Sequence, residues 1–151
     1  MKRMHLIPTL LICLSVIFSL TSCSNGDNVN ITPTVVQNNV QTGGWRITSY
    51  VDSGKDETNH YSGYTFTFQT NGTITATNGS ISNSGTWSIG DNNSSDDSVD
   101  SLHFNIVFNL SNDFEKLSED WNFISQSSNK IELIHVSGGN GGTDYLTFEK
   151  S

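Results

Sequence analysis

The chain has 151 residues, a formal net charge of −8 and 15% charged residues, whereas charged residues make up about 25% of ordinary soluble domains. Ser, Thr and Asn account for 55 residues, and Ala76 is the only alanine. Strong helix formers are scarce, which argues against a helical bundle or a doubly wound α/β fold and favours an all-β domain. The lack of a basic patch or stripe argues against nucleic-acid binding.

Residues 1–22 have the pattern of a secretory signal peptide. Two basic residues precede an apolar stretch from Leu6 to Leu20, which is 15 residues long and shorter than the ~20 residues of a membrane-spanning helix. The sequence Leu20-Thr21-Ser22-Cys23 follows and resembles the bacterial lipobox. The resemblance implies cleavage before Cys23 and acyl chains such as palmitate on that residue, which anchor the chain in the membrane. The alternative is an ordinary signal peptide with a chance cysteine at its end.

The residues after the cysteine predict a location and a tether. Ser24 stands where an aspartate would retain a lipoprotein of enteric bacteria in the inner membrane. The sequence therefore predicts a cell-envelope lipoprotein of the outer membrane of a Gram-negative bacterium. Residues 23–42 are polar and lack a sustained period, so we expect a lipidated cysteine and a flexible tether reaching about 25 Å as a coil. The alternative places Val35 and Val36 in a first strand.

From residue 43 to residue 151 the apolar side chains alternate with polar ones, as in half-buried strands. Tyr64, Phe66 and Phe68 form one such set, and Asn71-Gly72 follows it as a hairpin signal. About eight strands are joined mostly by short hairpins. The pattern predicts one domain, an antiparallel up-and-down β-barrel that hides its strand edges by closing, with a β-sandwich as the alternative.

Two further segments carry specific expectations. The set Trp45-Ile47-Ser49-Val51 predicts a first strand with these four residues on one face. The segment 111–117 predicts a helical turn, capped by Ser111 or Asn112, with Phe114 and Leu117 facing inward.

Three short motifs in the predicted barrel resemble a known family. They are Gly43-Gly44-Trp45, Gly85-Thr86-Trp87-Ser88 and the terminal Leu146-Thr147-Phe148-Glu149-Lys150. Together they are similar to the small lipocalin-like domains of bacterial lipoproteins. The resemblance implies a small β-barrel in which Trp45 packs across the closed end. The helix that follows the lipocalin barrel is missing here.

The aromatic stripes of the predicted strands raise two alternatives for the function, since eight-stranded barrels either fill themselves with side chains or hold one small ligand. The first is non-catalytic binding of a small apolar or amphipathic molecule. The second is a structural or protein-interaction module of the envelope with a filled barrel, for which Tyr50 and Tyr61 are candidate exposed aromatics. The candidate lining of a ligand pocket consists of Phe66, Phe68, Phe104, Phe108, Trp121 and His135.

The sequence predicts no catalytic residue, no cofactor and no metal site. His60 and His103 lack the spacing of zinc ligands. The loop from Gly90 to Asp100 is rich in oxygen ligands, but it fails the EF-hand pattern and is best interpreted as a solvated loop. A cleft that grouped His103 or His135 with carboxylates would instead favour an enzyme.

Overall fold

The structure is a computed structural model that describes residues 32–91, 102–139 and 141–151. The predicted signal peptide, Cys23 and most of the oxygen-rich loop lie outside these residues. The described chain contains one α-helix, α1 (Pro33–Val40), and two 3₁₀ turns, Thr58–Tyr61 and Asp113–Leu117. Its strands are β1 (Trp45–Asp52), β2 (Lys55–Asp56), β3 (Thr65–Phe68), β4 (Thr73–Asn78), β5 (Ile81–Asp91), β6 (Leu102–Val107), β7 (Asp120–Gln126), β8 (Lys130–Val136) and β9 (Thr143–Lys150).

The strands form one closed antiparallel barrel. Neighbours in the chain pair from β3 to β9, and β1 pairs with both β3 and β9, which closes the ring. The two-residue strand β2 folds back on the end of β1 and stands outside the count of eight barrel strands. The predicted up-and-down barrel is therefore confirmed over the β-sandwich. Closure leaves no free sheet edge around most of the wall, which protects the chain from edge-to-edge association.

The barrel encloses a core that follows the predicted alternation in most strands. In β6 every second residue is buried, and the same holds in β9. Alternate side chains of a strand point to opposite faces, so each strand contributes one apolar row to the interior. The buried aromatic side chains are Trp45, Tyr50, Tyr61, Phe66, Phe68, Trp87, Phe104, Phe108, Phe114, Trp121, Phe123 and Phe148.

Strand β1 departs from strict alternation. Its register against β9 shifts between Ile47 and Ser49, which marks a β-bulge. A bulge inserts one extra residue and reverses the facing of every residue that follows. Tyr50 is consequently buried, whereas Val51 is only half-buried. The expectation that Ser49 and Val51 share a face with Trp45 was wrong for this reason.

Residues 33–40, expected as part of a flexible tether, form helix α1 instead. The Thr32 hydroxyl accepts a hydrogen bond from the Val35 N–H, and Pro33 occupies the first turn, as is common at helix starts. Val36 and Val40 lie one turn apart and are fully buried in the core. The folded domain thus begins before Gly43, and Val36 belongs to a helix and not to a strand.

The helical turn predicted at 111–117 is confirmed as the 3₁₀ turn Asp113–Leu117. The Asn112 carboxamide oxygen accepts a hydrogen bond from the Phe114 N–H at 3.1 Å. Phe114 and Leu117 are both buried. Because the turn connects β6 to β7, its two apolar side chains enter the barrel from the end at which those strands meet.

Candidate functional site

The two ends of the barrel differ in structure, and several of the candidate residues lie at one end or the other. The helix end is defined by α1 and Trp45, at the start of β1. The acidic end is defined by the two 3₁₀ turns and by the carboxylates of Asp52, Glu57, Asp113, Glu119 and Asp144, which lie around the end of β1 and the start of β9.

Five of the six predicted pocket-lining residues lie together in the barrel interior. Phe66, Phe68, Phe104, Phe108 and Trp121 are each at most 2% exposed. The sixth, His135, lies at the acidic end, where its ring centroid is 6.0 Å from that of Trp121.

The rings in the interior contact one another. The ring centroid of Phe68 lies 5.4 Å from that of Phe104 and 5.6 Å from that of Phe148. The ring centroids of Phe66 and Phe148 are 5.4 Å apart, and the ring of Phe104 stacks on that of Phe123 with their centroids 5.7 Å apart. These separations fall in the 4.5–7 Å range of favourable aromatic pairs. The aromatic stripes therefore pack against each other across the barrel axis.

Trp45 lies at the helix end and is fully buried. Its indole N–H donates a hydrogen bond of 2.8 Å to the carbonyl of Val40, which is the last residue of α1. The Lys150 ammonium lies 4.9 Å from the Trp45 ring centroid, within the range of a cation–π contact. Trp45 therefore joins the helix, the first strand and the last strand.

Two tyrosines lie under the acidic end. The Tyr50 hydroxyl donates to the Lys116 carbonyl at 3.0 Å, and the Tyr61 hydroxyl donates to the Asp113 carbonyl at 2.8 Å. Both residues are 1% exposed, so the expectation that they are exposed aromatics was wrong. The bulge in β1 turns Tyr50 inward, and the 3₁₀ turn 58–61 does the same for Tyr61. Burial raises the pKa of both phenols above the ordinary tyrosine value.

A nearly buried carboxylate links the two 3₁₀ turns. Glu57 is 3% exposed, and its Oε1 lies 2.5 Å from Lys55 Nζ and 3.8 Å from Lys116 Nζ. His60 Nδ1 lies 3.1 Å from Glu57 Oε2 and 3.2 Å from Asp113 Oδ1, without the alignment of a hydrogen bond. The hydrogen bond from Lys55 holds the pKa of Glu57 below its usual value. The charge of this carboxylate is thus balanced by two lysines.

The second histidine of the acidic end also lies between carboxylates. His135 Nε2 is 3.4 Å from Glu119 Oε2, and His135 Nδ1 is 3.7 Å from Asp144 Oδ2. The other oxygen of Asp144 accepts the Ser53 N–H at 2.8 Å and the Ser53 hydroxyl at 3.4 Å. These bonds hold Ser53 at a positive φ of 50°, next to Gly54, a conformation that is unusual for serine.

The geometry of this group differs from that of a nucleophilic site. In a Ser-His-Asp site the histidine receives the proton of the serine, and the carboxylate orients the histidine. Here the Ser53 hydroxyl is directed to Asp144 and not to His135. Both imidazole nitrogens of His135 face carboxylates. His103, on the outer wall, lies 3.2 Å from Asp120 Oδ1. Within the described ranges, no group of three or more His, Cys, Asp or Glu side chains is arranged to hold a metal ion.

A surface depression of about 660 Å³ lies beside the turn between β6 and β7. Its lining includes Val107, Leu110, Glu115 and Glu119. Of the six residues expected to line a ligand pocket, Phe108 also lines this depression, whereas the other five do not.

The outer face of the barrel carries an apolar patch, defined by Ile124, Ile134, Val136, Tyr145 and Val51. Ile134 pairs with Tyr145, and Tyr145 pairs with Val51 across β8, β9 and β1. The exposed fractions of Ile124, Val136 and Tyr145 are 51%, 62% and 43%. Sequence alternation contained the signal for Ile134 and Tyr145, which stand between the inward residues of their strands.

No helix in the part of the chain that the structure describes is both long and apolar enough to cross a membrane. No family model and no curated protein match the sequence. Among solved structures, the chain is similar to the crystal structure of a DUF4847 family protein from Bacteroides vulgatus ATCC 8482. The two share 17% identity over 77% of this chain and 97% of the other, with a TM-score of 0.49.

Proposed function

We propose that this chain is a lipid-anchored protein of the bacterial cell envelope whose filled barrel is a non-catalytic structural or protein-interaction module. The packing of the interior carries the choice between the two alternatives raised by the sequence. Phe68 contacts both Phe104 and Phe148, and Phe104 in turn stacks on Phe123. These contacts between the chain's own side chains support a filled barrel over one that holds a ligand.

A fluorescence titration tests this choice. Fatty acids and sterols are added to the protein while tryptophan emission is followed, because Trp121 is fully buried and pairs with Phe104 between β6 and β7. A filled barrel gives no saturable change in emission. A saturable change that is lost in a Phe104→Trp variant, whose larger ring would fill any remaining space, would instead establish a ligand cavity.

The anchor is supported by Leu20-Thr21-Ser22-Cys23 directly after the apolar leader. One acyl chain binds a membrane only marginally, whereas two or more give stable anchoring. Cells are therefore grown with an alkyne-tagged palmitate and fractionated. The wild-type chain is expected to carry the label and to sediment with membranes. Cys23→Ala should lose both properties, whereas Ser24→Ala should keep both. Labelling that survives in Cys23→Ala would contradict the anchor.

The proposal of a non-catalytic module is supported by the arrangement of the acidic end. The Ser53 hydroxyl donates its hydrogen bond to Asp144 and not to His135. A nucleophile without a base cannot be activated in the usual way. The carboxylates there are engaged by Lys55, Lys116 and the histidines, so they serve as links between turns.

The apolar patch on the outer face is the proposed contact surface. Its partner is a protein surface that combines apolar side chains with positive charge, since the chain carries 15 acidic against 7 basic residues and Asp56 pairs directly with Val51 at the edge of the patch. Opposite charge across an interface accelerates encounter and disfavours wrong partners.

Site-specific photo-cross-linking tests this surface in the lipidated protein. The cross-linking residue replaces Tyr145 in one variant and Thr77, an exposed residue of β4, in the control. Cross-links to a basic envelope protein are expected at position 145 only, and raised salt should weaken them because the charges are screened. Equal cross-linking at both positions would overturn the assignment of the surface.

A further inference from the structure

Two identical tripeptides stand at two hairpin turns of the barrel wall. Thr70-Asn71-Gly72 joins β3 to β4, and Thr77-Asn78-Gly79 joins β4 to β5. An asparagine followed by glycine is chemically labile, because glycine has no Cβ to hinder attack by its backbone nitrogen on the preceding side chain. Since the flanking threonine is the same in both, the folded surroundings decide how fast each one reacts.

The first turn is fastened by hydrogen bonds to both residues. The Gly72 N–H donates to the Gln69 carbonyl at 3.1 Å, and the Gly72 carbonyl accepts the Trp87 N–H at 2.9 Å. The Asn71 side-chain oxygen accepts the Thr73 N–H at 3.0 Å. The nitrogen that would attack is thus engaged with Gln69, and the group that it would attack is held toward Thr73.

The second turn leaves the attacking nitrogen open. Asn78 pairs with Ile81, so the loop consists of Gly79 and Ser80 alone. Gly79 has a φ of 60° and no neighbouring atom within 4 Å on the side where a Cβ would stand. A glycine at the first loop position is typical of type II′ hairpins, whose closing hydrogen bonds belong to the flanking pair and leave the first loop N–H to solvent. Asn78 Nδ2 makes one long contact, 3.4 Å, with the Ser62 carbonyl.

We propose that Asn78 is a site of spontaneous deamidation in the folded protein and that Asn71 is protected from it. Solvent base removes the Gly79 N–H proton, the nitrogen forms a bond to Asn78 Cγ, and the Cγ–Nδ2 bond breaks. The amide nitrogen leaves as ammonia after it takes a proton from water, and a five-membered succinimide remains. Water then opens one of the two imide C–N bonds to give aspartate or isoaspartate, so the net reaction consumes one water and releases one ammonia.

The product changes the β4–β5 hairpin. Either product places a negative charge at position 78, beside the Ser62 carbonyl. Isoaspartate also adds one methylene to the main chain at the residue that pairs with Ile81. An extra backbone atom in a closing pair disturbs the register of a two-residue hairpin.

Peptide mapping by mass spectrometry tests the proposal on the full folded chain, incubated in ¹⁸O-labelled water at mildly alkaline pH. Incorporation of ¹⁸O at Asn78 is expected to be roughly fivefold faster than at Asn71, because attack at Asn71 must first break a backbone hydrogen bond. In denaturant the two sites should react at similar rates, since their tripeptides are identical. The other two Asn-Gly pairs, Asn25-Gly26 and Asn140-Gly141, lie in different peptides of the map, so their labelling is not confused with that of Asn71 and Asn78.

Two variants sharpen the test. Asn78→Gln should abolish the rapid labelling at position 78 and leave the slow labelling at Asn71 unchanged. Asn71→Gln should leave the rapid labelling at Asn78 unchanged. Labelling of the folded chain that is as fast at Asn71 as at Asn78, or labelling of Asn78 that occurs only in denaturant, would overturn the proposal.

Discussion

The two ends of the barrel are closed by different kinds of contact. At the helix end, Val36 and Val40 of α1 are buried against the core, and Trp45 donates to the last carbonyl of the helix. The other polar contacts at this end are the Lys150 ammonium near the Trp45 ring and the hydrogen bonds that the Asn39 side chain donates to Gln126 and to the Ser127 carbonyl. The stability of this closure derives from surface removed from water, which protonation does not change.

The acidic end is closed by polar contacts over buried rings. Tyr50 and Tyr61 donate to carbonyls of the turn Asp113–Leu117, and Lys116 lies 3.3 Å from Asp52 Oδ2. The two tyrosine hydroxyls had to leave water, so the closure is stable only while these donors keep their acceptors. The comparison implies that the helix end resists changes of pH, whereas the acidic end responds to them.

The largest expected effect comes from Trp45→Ala. Removing a fully buried indole leaves a cavity and unpairs the Val40 carbonyl, so the free energy of unfolding should fall by about 3–5 kcal/mol. Denaturant titration measures it. The matched control is Arg46→Ala on the opposite face, whose ion pair with Glu149 is exposed and contributes at most about 1 kcal/mol. Equal losses in the two variants would show that Trp45 does not close the barrel.

A smaller effect is expected from Val36→Ala in α1. The substitution removes two buried methyl groups, and at ~0.8 kcal/mol per group the unfolding free energy should fall by about 1.5 kcal/mol. Val35→Ala, one residue earlier and 39% exposed, should lower it by less than about 0.5 kcal/mol. If the two variants behave alike in thermal unfolding, α1 is not part of the folded domain.

Tyr61→Phe should weaken the acidic end by about 1 kcal/mol, because one net hydrogen bond is lost and the Asp113 carbonyl is left unpaired. The wild-type protein should also lose stability as the pH rises above about 10. Burial raises the pKa of Tyr50 and Tyr61 in the folded state, so only the unfolded chain releases these protons there.

The high-pH loss serves as the readout that separates the two ends. The double variant with Tyr50→Phe and Tyr61→Phe should retain its lower stability with little further decline above pH 10. Trp45→Ala should decline as steeply as the wild type, since it leaves both phenols in place. A double variant that declines as steeply as the wild type would contradict the assignment.

The smallest effect is expected at low pH. The hydrogen bond from Lys55, aided by the Lys116 charge, holds the pKa of Glu57 below its ordinary value. A lowered carboxyl pKa contributes stability that is present above the unfolded pKa, about 4.3, and is lost as the pH falls through the folded value. Glu57→Gln should therefore flatten the decline of stability below about pH 5. Glu115→Gln, an exposed residue of the neighbouring turn, should leave that decline unchanged.

The sequence predicted the barrel because alternation and hairpin signals both act locally. The Asn-Gly pairs stand at two of the turns, and a cap at Ser111 or Asn112 predicted the 3₁₀ turn Asp113–Leu117, for which Asn112 is the cap. Helix α1 was missed because only two of its side chains are buried, although Pro33 after a capping Thr32 is a usual helix start. The polar composition of the segment led to the prediction of a tether, whereas its two buried valines, Val36 and Val40, were the residues that indicated a packed helix.

The candidate site was harder to predict because it depends on which face of a strand each side chain occupies and on contacts between residues that are distant in the sequence. Strict alternation from Trp45 onward predicts that Tyr50 lies on the outer face, and the bulge after Ile47 is what turns it inward. Glu57 contacts Lys116 across 59 positions of the chain, and nothing local marks that pair. The grouping of His135 with Asp144 follows from strand register, since the two residues pair directly.

Helix α1 also bears on the proposed acyl anchor at Cys23. Nine residue steps separate Cys23 from Thr32, and nine steps of chain span about 30 Å at most. Thr32 leads into α1 at the helix end. With the proposed anchor, so short a distance would turn the helix end toward the headgroups and direct the acidic end, with the buried tyrosines beneath it, away from the membrane.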